Sequence, residues 1–583
     1  MNPNDDPHGN LNLAVIGNCT VNALIDTRAR IVWSCMPRFD SDPIFNALLT
    51  GKQSGVEDAT GMFDVCVDGL RRTEQHYMEN TAVVVTRLED EHGQILEVVD
   101  FAPRFNRFGR RFRPMALVRY LKPIKGTPRI RLRIRPTFDY GAQPASITRG
   151  ANHVRYVGPD HTVRLTTNAP VTYVLGEDWF HLERPLSFFL GPDESLTIPV
   201  EDTTGEFLDL TVSYWREWVR TLAVPLEWQE AVIRAAITLK LCWFEETGAI
   251  VAAMTTSIPE ASGTERTWDY RYCWLRDAYY VVRALNRLGA VDIMESYLNY
   301  LRNLPGVANG NALQPVYGIG LEGRLTERFA PALAGYRGQG PVRIGNQAHE
   351  HRQHDVYGQV VLSSAQAFFD RRLLRPMNEH DFVQLEKVGK NAIALHNQPD
   401  AGLWELRSKS RIHTYSSAMC WAACERLAKI ADHLGLSERT AFWRDHADTI
   451  RQTIETNAWN AEENTFAGSF GGREIDASLL QLGDIGLIAP EDPRFIGTVR
   501  AVEKHLLRNG HVFRYAEADD FGVPRTAFNV CTFWLIDALS RIGERDKARE
   551  IFATMLAARN HVGLLSEDTD PATGEMWGNF PQT

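Results

Sequence analysis

The sequence predicts an N-terminal antiparallel β-sandwich over residues 1–210, a linker helix over 211–225 and a closed double ring of helices over 226–583. Three observations support this division. The chain has 583 residues, which is too long for one ordinary domain. The first third alternates polar and apolar residues, as strands with one buried face do. After the linker, apolar residues recur with the 3.6-residue period of helices.

The predicted strands are rich in β-branched residues and are separated by turns that contain Gly, Pro, Asp or Asn. Because one face of each strand is polar, antiparallel sheets with one face in the core are favoured. The clearest strand segments are residues 82–88, 129–135, 162–175 and 186–190.

Residues 214–222 predict a short linker helix that ends before Pro225. Most of the helical segments that follow are apolar on more than one face, which suits a large closed ring better than a small bundle. The predicted helices are residues 226–245, 270–288, 291–303, 355–373, 379–396, 414–433, 437–456, 493–508, 527–542 and 545–559.

Composition and charge narrow the classes of function. The formal net charge of −10 argues against nucleic acid and anionic membranes as partners, and it is compatible with a small neutral carbohydrate. No apolar stretch is long enough to predict a transmembrane helix, and the amino terminus does not read as a secretory signal. Nucleotide-binding and serine-hydrolase motifs do not occur.

Cysteine and histidine patterns give no sign of a metal or a disulfide framework. The eight cysteines are scattered and include no CxxC, so core packing in a reducing cytoplasm is expected. The cluster His349–His354 resembles a zinc motif, but HExxH would require a histidine where Gln353 stands. We therefore expect no metal and no organic cofactor.

Residues 267–277 (TWDYRYCWLRD) combine aromatic side chains with arginines and aspartates at a helix start. Aromatic faces stack on the apolar faces of sugar rings, and guanidinium and carboxylate groups hold hydroxyls in fixed geometry. This composition is typical of a carbohydrate site. A buried aromatic cluster with a structural ion pair is the alternative.

Two further segments offer carboxylates. In residues 400–407 (DAGLWELR), Trp404 adjoins Glu405, and a carboxylic acid that an indole partly desolvates suits a general acid. In residues 563–582, Glu567, Asp568 or Asp570 could supply a base. A solvated loop is the alternative in both places, and the second does not have the spacing of an EF-hand.

Taken in order, these segments resemble glycoside hydrolase family 15, which includes glucoamylases, glucodextranases and bacterial or archaeal trehalases. Any one motif is weak, but the ordered set is specific and covers nearly the whole chain. The resemblance implies a β-sandwich followed by an (α/α)6 barrel. The matching segments are residues 16–45, 248–277, 335–358, 402–426, 514–534 and 581–582.

The resemblance also implies residue roles. Glu405 in LWE matches the family's general acid, and Glu567 in LLSED matches its general base. Arg276 and Asp277 match a pair that grips hydroxyls of the terminal glucose. The remaining pocket residues that we predict are Tyr270, Trp274, Tyr336, Arg337, Trp404, Arg514 and Trp577.

The chain also departs from the family pattern. It stops at Thr583, where the family commonly continues into another helix, so the last barrel helix is expected to be missing. Leu406 follows the acid, where fungal glucoamylases have a second acid, which argues against transferring starch specificity. The histidine-rich stretch 349–354 replaces a glutamine-rich one.

The implied reaction is hydrolysis of an α-glucoside from its end, with inversion, by carboxyl groups roughly 6.5–9.5 Å apart. A cytoplasmic setting favours trehalose, with isomaltose or short malto-oligosaccharides next. An inverting phosphorylase and an inert sugar-binding protein are the alternatives from other classes. The sequence predicts no particular oligomeric state.

Overall fold

The computed structural model describes residues 9–51, 57–304, 307 and 312–582. The first part of the chain, up to Pro192, consists mainly of strands. They are β1 (Leu13–Gly17), β2 (Asn22–Asp26), β3 (Ile31–Cys35), β4 (Pro43–Phe45), β5 (Met62–Val67), β6 (Leu70–Tyr77), β7 (Val84–Asp90), β8 (Ile95–Phe101), β9 (Phe105–Arg107), β10 (Arg110–Phe112), β11 (Leu117–Lys125), β12 (Arg129–Arg135), β13 (Thr137–Phe138), β14 (Gln143–Pro144), β15 (Ser146–Arg149), β16 (His153–Val157), β17 (Thr162–Thr167), β18 (Phe180–His181) and β19 (Leu186–Pro192).

Two antiparallel sheets dominate this part, as predicted. One has the strand order β1-β2-β3-β5-β12-β18, with β4 paired to β3, and the other has the order β15-β16-β17-β19-β11-β8-β7-β6. The Tyr77 hydroxyl on β6 donates to the carbonyl of Val15 on β1 and accepts from its N–H, both at 2.8 Å. This exchange ties one sheet to the other.

The structure corrects two predicted elements. The predicted strand 162–175 ends at Thr167, and helix α1 (Val171–Gly176) follows, because Pro170 cannot donate to a sheet ladder and instead precedes a helical turn. The predicted helix 214–222 is the end of the longer helix α2 (Val200–Arg220). Its Thr- and Gly-containing start is a weak helix former, but Phe207 packs there against Phe105 and Phe189.

Every predicted helix of the second part corresponds to an observed one, with ends that differ by several residues at most. α8 packs against α6, α7 and α9, and α12 packs against α13. The helices are α3 (Gln229–Leu241), α4 (Leu275–Arg287), α5 (Val291–Asn303), α6 (Asp355–Phe369), α7 (Glu379–Leu395), α8 (Thr414–His433), α9 (Ser437–Ala458), α10 (Gln481–Asp484), α11 (Pro493–Leu506), α12 (Asn529–Arg541) and α13 (Arg545–Ala557).

Short strand pairs join these helices, and the last three strands form one small sheet next to Glu567. The pairs are β20 (Cys273–Trp274) with β21 (Val316–Tyr317), β22 (Arg328–Phe329) with β23 (Arg343–Ile344), β24 (Trp459–Asn460) with β25 (Thr465–Phe466), and β26 (Leu507–Arg508) with β27 (His511–Val512). The small sheet is β28 (Ala527–Phe528), β29 (Asp568–Thr569) and β30 (Met576–Trp577).

The β-sheets brace the loop between α3 and α4, which carries the predicted aromatic segment. The Trp33 indole donates to the carbonyl of Met254 at 2.8 Å. Arg271, fully buried, pairs with Asp269 at 2.7 Å and donates to the Tyr140 hydroxyl at 2.9 Å. Because a buried charge is tolerated only when it is paired and hydrogen-bonded, these contacts fix the loop in one position. No helix in the described ranges is long and apolar enough to cross a membrane.

Candidate active site

A cavity lies among the loops of the helical part; it has about 670 Å³ of empty space, part of which is open to solvent. Aromatic and charged side chains line it together, as they do in many small-molecule sites. The lining residues are Glu260, Arg266, Trp268, Tyr270, Arg276, Asn346, Ala348, His351, Leu403, Trp404, Glu405, Leu406, Arg407, Arg514, Asp519, Asp520, Phe521 and Phe528.

Glu405 lies on a tight turn at the cavity wall. Its φ of +60° is in the left-handed region, which residues other than glycine seldom adopt and which clusters at functional sites. Gly402, at φ +67°, opens the turn, and a Cβ there would meet the His413 ring at 2.7 Å. The Trp274 indole donates to Glu405 Oε1 at 2.6 Å, so one carboxylate oxygen is held and the side chain stays 21% exposed.

Arg276 and Asp277 lie together on the first turn of α4. Arg276 donates to the carbonyl of Leu403 at 3.0 Å, and its guanidinium lies 3.8 Å from Glu405 and 3.2 Å from Asp277. The structure therefore brings this predicted pair to Glu405. Burial raises the pKa of Asp277, although the Arg276 charge opposes the shift.

Glu567 has a different environment. It is 1% exposed, and its Oε2 accepts from the N–H of Asn579 at 3.2 Å. Its Oε1 is buried and accepts no hydrogen bond from the described residues. Gly578 turns beside it at φ +74°, where a Cβ would meet the Glu567 Cβ at 2.6 Å. Burial and then the charge of Glu260 raise the pKa of Glu567 to about 8, although Tyr270 and Arg514 oppose the shift.

Tyr270 interacts electrostatically with both carboxylates. Its ring packs edge-on against Trp274 with centroids 5.2 Å apart, and Trp274 in turn holds Glu405. Burial, followed by the charges of Glu567, Glu260 and Glu405, raises the pKa of the Tyr270 phenol well above its usual value. A single phenol at the cavity wall is thus within electrostatic range of both predicted catalytic residues.

Trp404 and Arg514 also line the cavity, as the sequence predicts. The Trp404 indole donates to Asp476 Oδ2 at 2.7 Å, and its ring contacts Phe528 with centroids 5.8 Å apart. Arg514 is hydrogen-bonded to the Glu260 carboxylate. These contacts fix two flat side chains on the wall that a sugar ring could contact.

Three other predicted residues lie together elsewhere. Tyr336 and Trp577 pack edge-on with centroids 6.0 Å apart, and the Arg337 guanidinium lies over both rings. Arg337 also pairs with Glu575 at 2.7 Å and donates to the carbonyl of Gly9. None of the three lines the cavity. Their arrangement is that of an aromatic cluster with a structural ion pair.

Sequence reasoning missed several lining residues. Glu260 accepts from the Trp268 indole at 2.8 Å, and Trp268 packs edge-on against Phe521 with centroids 5.0 Å apart. The Arg407 guanidinium lies 4.8 Å from the Trp268 ring. Trp268 belongs to the aromatic segment already singled out, so composition could have found it. No local pattern marks Glu260 or Phe521, which enter the wall from distant loops.

The histidines of the stretch 349–354 lie in different environments. His351 lines the cavity, whereas the His349 ring contacts the carbonyl of Asn346 at 2.9 Å and His354 lies in the interior. Burial lowers the pKa of His351 and of His354. Within the residues that the structure describes, no group of three or more His, Cys, Asp or Glu side chains is arranged to hold a metal ion.

A two-part fold, a cavity with aromatic walls and carboxylates in contrasting environments define a carbohydrate-cleaving enzyme, and the comparisons with known proteins agree. The chain belongs to the glycosyl hydrolases family 15, whose model matches residues 228–583, and it is a glycoside hydrolase. A second model, described as trehalase-like, N-terminal, matches residues 7–182.

Similar relatives include trehalases from Thermoplasma volcanium and Mycobacterium tuberculosis. The first is 31% identical over 97% of this chain and 90% of its own length, and the second is 30% identical over 98% and 87%. A bacterial glucoamylase complexed with acarbose has a similar fold, with a TM-score of 0.69 and 14% identity over 98% of this chain and 90% of that one. The predicted fold class is confirmed.

Proposed function

We propose that this glycoside hydrolase is an inverting enzyme that removes one glucose unit from the end of a small α-glucoside, with trehalose as its preferred substrate. Relatives named trehalase match nearly the whole chain, including the N-terminal sheets. The observation that carries the mechanism is the chain of contacts from Glu405 through Trp274 to Tyr270, whose phenol interacts electrostatically with both Glu405 and Glu567.

In the proposed reaction, Glu405 donates its proton to the glycosidic oxygen as the bond from that oxygen to C1 breaks. Glu567 accepts a proton from a water molecule whose oxygen forms the new bond to C1 on the opposite face of the ring. Oε1 of Glu567, which accepts no hydrogen bond from the described residues, is the oxygen available to that water. The Arg276 guanidinium, 3.8 Å from Glu405, supplies donors for sugar hydroxyls beside the acid.

Inversion has a distinct signature with trehalose. Because only the attacked ring inverts, early products should contain α-glucose and β-glucose in equal amounts. A retaining enzyme would release α-glucose alone. Proton NMR of the first minutes of reaction, before mutarotation, distinguishes these results. Early products that contain α-glucose alone would contradict the proposed mechanism.

Substrate choice can be tested on the same preparation. We expect glucose release to be fastest with trehalose, slower with isomaltose and maltose, and independent of added phosphate. A rate that requires phosphate, with glucose 1-phosphate as a product, would identify a phosphorylase instead. Faster release from maltotriose than from trehalose would favour a glucoamylase-like enzyme.

A cytoplasmic location forms part of the proposal. All eight cysteines are free, and seven of them are buried. Buried free thiols suit a reducing compartment, in which disulfides do not persist.

A further inference from the structure

Glu260 is a buried carboxylate for which the proposed reaction has no use. It is 2% exposed, yet it lines the catalytic cavity. Its Oε1 accepts from the Trp268 indole at 2.8 Å, and its Oε2 pairs with Arg514 and lies 3.7 Å from Arg266. It therefore holds an aromatic side chain and an arginine of the cavity wall at once.

The backbone around Glu260 is also joined to the turn that carries the base. The carbonyl of Pro259 accepts from the N–H of Gly578, the residue packed against Glu567, at 2.8 Å. The carbonyl of Glu260 accepts from the Thr526 hydroxyl at 2.8 Å. The oxygen of that hydroxyl also lies 3.2 Å from Asp568 Oδ1. A second acidic side chain is thus fixed next to the Glu567–Asp568 pair.

We propose that Glu260 is a positioning residue of this active site: it fixes Arg514 and Trp268 at the cavity wall and places a negative charge next to the turn that carries Glu567. The inference rests on the proposed role of Glu567 as the base. It adds a residue that acts on the base through space and does not itself take part in bond breaking.

Several charged and titratable groups face Glu567. Glu260 is acidic and opposes its ionisation, whereas Arg514 from the loop before β28 favours it. The neighbouring Asp568 is buried, and burial and the charge of Glu567 raise its pKa well above the usual value. Tyr270, from the loop before α4, faces it with a phenol that also favours the ionised form. Glu567 and Asp568 are close enough to titrate as a pair, so an experiment reports on the pair. Removing the Glu260 charge should lower the pH at which the pair releases its proton.

The test compares Glu260→Gln with Asp519→Asn. Glutamine keeps the shape and an acceptor oxygen but removes the charge. Asp519 lines the same cavity and pairs with Arg266 at 2.8 Å, so its variant also removes one negative charge from the wall. A third variant, Glu260→Asp, keeps the charge on a shorter side chain.

The readout is the pH dependence of kcat/KM for trehalose, which reports on groups of the free enzyme. We expect one limb of this profile to have its midpoint at the pH at which the Glu567–Asp568 pair releases its proton, a pH that burial and the Glu260 charge raise. Glu260→Gln should move that midpoint about one unit towards lower pH. Asp519→Asn and Glu260→Asp should leave the midpoint in place, whatever they do to the maximal rate. An unchanged midpoint in Glu260→Gln, or an equal shift in Asp519→Asn, overturns the inference.

A second readout separates this inference from the proposed function, because it needs no activity. A carboxyl whose folded pKa is raised makes the protein less stable as pH rises from the unfolded pKa to the folded one. In Glu260→Gln the loss of stability should be complete at a lower pH than in the wild type. The melting temperature of the variant relative to that of the wild type should therefore increase between about pH 4 and pH 8. If no sugar is hydrolysed but this gain occurs and is missing in Asp519→Asn, the proposed function fails and the electrostatic inference stands. If trehalose is hydrolysed but Glu260→Gln changes neither the pH profile nor the melting temperature in this way, the proposed function stands and the inference about Glu260 fails.

Discussion

The two proposed catalytic carboxylates lie in opposite environments. Glu405 stands on a strained turn, partly exposed, with one oxygen held by an indole and an arginine nearby. Glu567 is enclosed beside two other acids, and one of its oxygens accepts no hydrogen bond from the described residues. The difference indicates that the environment of Glu405 is set by backbone geometry and a specific hydrogen bond, whereas that of Glu567 is set by desolvation and by the like charge of Glu260.

This contrast suits the division of work in a single displacement. A proton donor must recover its proton from solvent after each turnover, so partial exposure favours it. A base that activates one water works best where bulk water is excluded and the water is held. A raised pKa is by itself the property expected of a proton donor, so the assignment of Glu567 as the base is supported by the match of its LLSED segment to the family pattern and not by its pKa.

The largest expected effect comes from removing either carboxylate. Glu405→Gln and Glu567→Gln should each lower kcat on trehalose by about 10²–10⁴-fold, because proton transfer by a positioned side chain contributes that much. Steady-state glucose release measures the loss. Glu462→Gln, which changes an exposed residue paired with Arg473, is the control and should keep full activity. Near-normal turnover in either catalytic variant would remove that residue from its role.

A smaller loss of activity tests whether hydrogen-bond geometry around Glu405 matters for catalysis. Trp274→Phe deletes the indole N–H that donates to Glu405 at 2.6 Å, and a hydrogen bond to a charged group is worth about 1.5–3 kcal/mol. We expect kcat/KM to fall roughly 10- to 100-fold, with the fold intact by circular dichroism.

The matched control is Trp443→Phe, because the Trp443 indole donates to Glu386 at 2.9 Å between helices α9 and α7. That variant should lose stability but keep the catalytic constants. Equal effects of the two variants on kcat/KM would show that the Trp274 bond has no special part in catalysis.

The smallest effect is on stability, and it tests the effect of burial and like charge on Glu567. Because the folded pKa of Glu567 is about 8, above the usual value near 4.3, the folded protein holds this proton more tightly than the unfolded chain. Stability therefore falls as pH rises through that interval, and an uncharged glutamine avoids the loss. Glu567→Gln should melt about 2 °C or more above the wild type at pH 8.

This difference in melting temperature should vanish near pH 4, where the Glu567 side chain of the wild type and the glutamine of the variant are both uncharged. Thermal melts monitored by circular dichroism across this pH range provide the measurement. A variant that melts below the wild type at pH 8 would show that Glu567 is stabilised, and not strained, by its neighbours.

Much of the fold could be predicted because periodicity is a local signal. Helices such as α8 and α9 were located closely, since their apolar residues repeat along one continuous segment. The prediction was wrong where local pattern and packing disagreed. Residues 171–175 alternate like a strand but form a helix after Pro170, and the weak start of α2 is helical because Phe207 finds aromatic partners.

The site was predicted less completely than the fold. Segments with several telling residues, such as 267–277 and 400–407, were identified and do meet at the cavity. Tyr336, Arg337 and Trp577 lie together in a separate cluster, because a motif's neighbourhood in sequence does not fix its side-chain direction. Glu260 and Phe521 carried no local signal at all.

By itself, the sequence determined the two-part architecture, the family and the two carboxylates proposed to act, because apolar period and ordered motifs are properties of the chain. Only the tertiary structure decided which acids share a cavity, that Glu567 is enclosed while Glu405 is partly exposed, and that Glu260 stands beside the base. Burial and charge proximity arise between residues that are distant in the chain, so no local pattern encodes them.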